Sequence, residues 1–63
     1  MSPEIQNAKV DALSKGWIVE VVSIDRTDVF QLKNPQGKYV QFGGTEESVW
    51  RHAYERGILP MKP

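Results

Sequence analysis

Not one of the 63 residues is a cysteine, and in so short a chain this absence decides how a fold must be held together. Disulfides and thiolate–zinc sites are both excluded. A chain near the lower size limit for unaided folding must then rely on packing, with most of its large apolar side chains committed to one core. Hydrophobic residues make up 40% and charged residues 25%, a globular balance and not a disordered one. The expectation is one domain over residues 1–63. The absence of cysteine also suits a reducing compartment.

Eight basic and eight acidic residues cancel to a formal net charge of +0. This removes the bulk basic signal of a phosphate-binding domain, although a local patch is compatible with it. No apolar run approaches membrane-spanning length. Met1-Ser2-Pro3-Glu4 lacks the basic region and apolar stretch of a signal peptide, so a cytoplasmic location is expected, with no membrane partner.

Ser2-Pro3-Glu4 opens a helix: a capping hydroxyl, a proline where no N–H bond is needed, and an acid facing the helix dipole. The helix is predicted to reach Lys15, with Gly16 ending it. Ile5, Ala8, Ala12 and Leu13 form its apolar stripe, and Lys9 beside them must snorkel. Trp17 to Ile24 is β-branched and aromatic apart from Glu20 and Ser23, and reads as a first strand. Asp25 to Asp28 reads as a turn, Val29 to Asn34 as a second strand, and Lys38 to Phe42 as a third. Asn34-Pro35-Gln36-Gly37 has the residues of a type I turn with a left-handed glycine. Thr45 caps a second helix that begins with Glu46 and Glu47 and is ended by Gly57. Met61-Lys62-Pro63 reads as a tail. The fold class is therefore α+β, in the order α-β-β-β-α, a three-stranded antiparallel meander with both helices on one face.

Register follows from internal consistency. A three-residue loop at Pro35-Gln36-Gly37 pairs Lys33 with Tyr39, Leu32 with Val40, Gln31 with Gln41 and Phe30 with Phe42. A four-residue first loop pairs Ile24 with Val29 and Glu20 with Lys33, and avoids setting Asp25 against Asp28. Trp17, Val19, Val21, Phe30, Leu32, Val40 and Phe42 then face the helices, where Val49, Trp50, Ala53 and Tyr54 meet them. Ile18, Glu20, Val22, Ile24, Val29, Gln31, Lys33, Tyr39 and Gln41 form the opposite face, which has no obvious cover.

Candidate chemical sites are thin. His52 is the single histidine and should lie on the outer side of the second helix beside Ser48 and Arg56. Asp25 and Asp28 suit turn formation better than a cation site, which needs further oxygen ligands. Gly43-Gly44-Thr45 outlines a phosphate cradle but lacks a following lysine, and two glutamates occupy the helix start. No catalytic, metal, cofactor or small-molecule site is expected, and an enzyme is not expected. The uncovered sheet face is the stronger feature. Ile18, Glu20, Val22, Ile24, Val29 and Tyr39 are expected to contact a protein partner or a second copy of the chain. The alternative is nucleic acid, held by Arg26, Lys33, Lys38 and Tyr39.

The order helix, three strands, helix is similar to that of the double-stranded-RNA-binding domain. The resemblance is one of topology and spans the whole chain. That family implies a lysine cluster at the start of its second helix, gripping phosphates. The matching positions here are Thr45, Glu46, Glu47 and Ser48, of the wrong charge, so the resemblance carries over no site.

Overall fold

In a computed structural model, which describes residues 2–60, the chain folds as α1 (Pro3–Ser14), β1 (Ile18–Ile24), β2 (Thr27–Lys33), β3 (Tyr39–Gly43) and α2 (Glu46–Glu55). The expected tail at Met61-Lys62-Pro63 lies outside the described residues. The strands form one antiparallel meander in the order β1-β2-β3, as the sequence predicts.

Both helices start and stop where local chemistry directs. The Ser2 hydroxyl accepts a hydrogen bond from the Ile5 N–H at 3.3 Å, and the Thr45 hydroxyl accepts one from Ser48 at 3.0 Å. The two C-termini close in the same way. Trp17 N–H donates to the Ala12 carbonyl at 3.1 Å, and Ile58 N–H to that of Ala53 at 3.0 Å. Gly16 and Gly57 stand at φ +97° and +68°, the left-handed position that a Schellman closure requires.

The core draws on both helices and on one face of the sheet. Ile5 and Ala12 of α1, Val49, Trp50 and Ala53 of α2, Leu32 of β2 and Leu59 are buried together. Trp17, Val19, Phe30, Val40 and Tyr54 pack against them half-buried. Leu13 departs from its expected place and is exposed, because Ala12 takes the buried position at that turn of the helix. Lys9 does snorkel: its ammonium reaches Glu46 at 3.2 Å, and the same carboxylate oxygen accepts from Trp50 Nε1 at 3.2 Å. Trp50 chiefly, and Lys9 after it, hold the Glu46 carboxyl below its ordinary range.

Two departures in register matter for function. The first hairpin is tighter than expected. Ile24 pairs with Thr27, Ser23 with Asp28, Val22 with Val29, Val21 with Phe30 and Val19 with Leu32. The loop is only Asp25-Arg26, both at positive φ (50° and 64°), the pattern of a type I′ turn. The expected pairings of Ile24 with Val29 and Glu20 with Lys33 are each displaced by two residues. A shift of two leaves every β1 and β2 side chain on its predicted face.

The second hairpin opens as predicted. Gly37 N–H donates to the Asn34 carbonyl at 2.9 Å, the Asn34 side chain accepts from Lys38 N–H at 2.9 Å, and Lys33 pairs with Tyr39. The ladder then slips by one at a bulge, so Leu32 pairs with Gln41, Gln31 with Phe42 and Phe30 with Gly43. A shift of one inverts the face of everything beyond it. Gln41, expected outside, is buried, and Phe42, expected in the core, is 53% exposed. Gln41 is satisfied within: its Nε2 donates to the Phe42 carbonyl at 2.9 Å and its Oε1 accepts from Arg56 at 3.3 Å. Gly43 turns inward under α2, where an added Cβ would stand 2.9 Å from Val49 Cγ2.

Candidate functional site

The face of the sheet turned away from the helices forms a regular grid. One row across the strands is Ile18, Lys33 and Tyr39; the next is Glu20, Gln31 and Phe42; then come Val22 with Val29, and Ile24 with Thr27. Ile18, Val22, Ile24 and Tyr39 are exposed, and Val29 is half-buried between its neighbours. Their placement together on one uncovered surface agrees with the sequence reading.

Phe42 is the member that sequence reasoning missed. The bulge seats it opposite Gln31 and diagonal to Val29, so the aliphatic patch gains an aromatic centre on its third strand. Alternation alone pointed the other way, because pairing Phe30 with Phe42 looked ideal. The available signal was Gly43, the residue whose missing side chain admits α2 and which must therefore face inward.

A polar cluster stands at one end of the patch and spans all three strands. The Tyr39 hydroxyl donates to Glu20 Oε1 at 2.5 Å, and Lys33 Nζ lies 3.1 Å from Glu20 Oε2. Lys33 also stands 5.7 Å from the centre of the Tyr39 ring. The bond from Tyr39, and after it the one from Lys33, hold the Glu20 carboxyl below its ordinary range. The hydrogen bonds it accepts in turn raise both the Lys33 ammonium and the Tyr39 phenol. The cross-strand ion pair expected of Glu20 and Lys33 thus forms, along a diagonal of the grid.

Of the four basic and aromatic residues considered for nucleic acid, Lys33, Lys38 and Tyr39 share one end of the sheet, and Arg26 lies apart from them. Lys33 and Tyr39 are both engaged by Glu20. Arg26 sits in the β1–β2 turn and Lys38 in the β2–β3 turn, at opposite ends of β2, a separation of about 20 Å for a strand of that length. The start of α2 presents Thr45, Glu46 and Glu47, with no lysine among them.

The remaining candidates have local roles. His52 is half-buried on α2, with Nδ1 3.4 Å from the Ser48 hydroxyl, one helical turn away. Thr45, after Gly43-Gly44, serves as the cap of α2. Asp25 shapes the tight turn, while Asp28 is drawn into β2 opposite Ser23. Among the described residues no three His, Asp or Glu side chains are placed to hold a metal ion. Nor is any described helix long and apolar enough to cross a membrane.

The site and fold together define a small α+β domain with one uncovered, partly apolar sheet face. Against models of known protein families, curated proteins and solved structures, the chain finds no match.

Proposed function

We propose that the chain is a non-catalytic binding module that recognises a protein partner through the outer face of its sheet, acting in the cytoplasm. The observation that carries this reading is the contiguity of Val22, Ile24, Val29 and Phe42 on a face that neither helix covers. Small chains that must fold by packing alone have little apolar surface to spare, and contiguous exposed apolar groups mark contact sites. Phe42 supplies the aromatic anchor, and Glu20, Lys33 and Tyr39 a structured polar rim.

The test uses Phe42→Asp. Wild type and variant are immobilised, proteins retained from a native lysate are identified, and each is then titrated against both purified chains. A partner whose affinity falls by roughly tenfold or more with the variant supports the reading. Retention of no protein, or equal affinity for both chains, overturns it.

Nucleic acid is the second reading, favoured by the exposed Tyr39 ring with Lys33 beside it. The distance of Arg26 from the others, and the hold of Glu20 on both Lys33 and Tyr39, weigh against it. It requires binding to single or double strands at low salt that weakens steeply as salt rises. Absence of binding at low salt removes it.

A further inference from the structure

The two edges of the sheet are not alike. β3 has five residues, a bulge at Val40 near its start and α2 packed against its inner side. β1 has seven residues, no proline, no basic residue and no irregularity in its pairing with β2. Bulges, short length, prolines and charged side chains, lysine above all, are the usual means by which a sheet edge is kept from pairing. β3 has two of them, and β1 has only the charge of Glu20, which Lys33 and Tyr39 already engage.

The tight hairpin determines which groups β1 leaves open. A two-residue loop is closed by a pair that exchanges both hydrogen bonds, here Ile24 with Thr27, and such pairs recur at every second residue. Val22, Glu20 and Ile18 therefore direct their N–H and C=O groups to β2. Val19, Val21 and Ser23 direct theirs to the free edge. Val21 has a further peculiarity: it lies on the helix side of the sheet, paired with Phe30, and yet is 55% exposed. The outer-face reading leaves it unexplained.

We propose that β1 pairs antiparallel with β1 of a second copy about a two-fold axis at Val21, joining the two sheets into one of six strands. The inference rests on the reading of this sheet as an interaction surface, and it names the partner for the edge. One register stands out. With Val21 opposite Val21, Val19 meets Ser23 of the other copy, and all three outward-facing residues of each strand exchange their bonds. Ile18 then meets Ile24, and Glu20 meets Val22. Moving the axis to Glu20 would set the two Glu20 carboxylates directly opposite, a repulsive pair. Moving it to Val22 would bring Asp25 of the turn into the ladder and strand one set of bonds. In the favoured register the two Glu20 side chains are only diagonal neighbours, each already countered by its own Lys33 at 3.1 Å. The exposed Val21 side chains cover each other, and a net charge of +0 leaves no bulk repulsion between copies.

Sedimentation equilibrium across a concentration series is the test, with Val21→Lys and Val21→Pro. Both variants act at the edge. Lysine sets like charges opposite each other, and proline removes an N–H that β2 does not use. Wild type is expected to approach twice the 7.2 kDa chain mass as concentration rises, and the variants to remain at the chain mass with unchanged circular dichroism. Amide exchange in wild type should slow with concentration at Val19, Val21 and Ser23 and stay constant at Glu20 and Val22. A wild type that remains at the chain mass, or concentration-dependent protection that spares those three amides, overturns the proposal. If a variant unfolds, the exchange pattern of wild type decides alone. Phe42→Asp should still dimerise, so loss of the outer-face partner and loss of the dimer are read separately.

Discussion

At the scale of single residues, Asp25 and Arg26 show most clearly how a local preference is overruled. Both hold left-handed backbone, which costs a residue with a side chain roughly 1–2 kcal/mol. The tight loop recovers this by drawing Thr27 and Asp28 into β2 and by matching the twist of the strands. Arg26→Gly is therefore expected to stabilise the fold by about 1 kcal/mol. The check is urea unfolding, where the midpoint should rise with no change in slope. A midpoint that fell would show that the arginine side chain contributes more than its backbone costs.

At the scale of elements, Glu20, Lys33 and Tyr39 link β1, β2 and β3 on the outer face, and the link depends on pH in two directions. Glu20 is depressed below 4.5 in the fold, so its contribution is present above that pH and is lost as pH falls through the lowered value. Tyr39 is raised above 10.0 and Lys33 above 10.5, so theirs are present below those values and vanish as pH climbs through the raised ones. Thermal unfolding from neutral to acidic pH should show part of the acid loss disappearing in Glu20→Gln, while the part owed to Glu46 persists. The same variant should flatten the decline at alkaline pH. Identical acid and alkaline profiles for variant and wild type would mean that the three side chains do not act as a unit. The bulge on β3 belongs to this scale too, since it alone exchanges Gln41 for Phe42 on the outer surface.

At the scale of the whole molecule, two helices and one sheet face share a core in which Trp50 is among the largest fully buried side chains. Removing such a side chain costs about 3–5 kcal/mol. A domain of this size without disulfides holds only a few kcal/mol in all. Trp50→Ala should thus lose its cooperative thermal transition, whereas Phe42→Asp should keep it. That contrast, read by circular dichroism on heating, separates a core aromatic from an exposed one. It would fail if both variants melted alike.

The order of elements, the caps of both helices, the Asn34–Gly37 turn and the facing of β1 and β2 side chains follow from signals that act over a few residues: a capping hydroxyl, a left-handed glycine, an alternation of period two. Such signals are written locally and can be read locally. The Asp25-Arg26 loop and the β3 bulge are not of that kind. Neither carries an asparagine–glycine pair or a glycine at the irregular position itself, and Gly43, at the end of β3, is the one hint. Both are decided by contacts summed across the sheet and against α2, where Gly43 must pass beneath Val49. The loop moved the register by two and left the surface intact. The bulge moved it by one, so only the tertiary structure could put Phe42 on the exposed face and Gln41 in the interior.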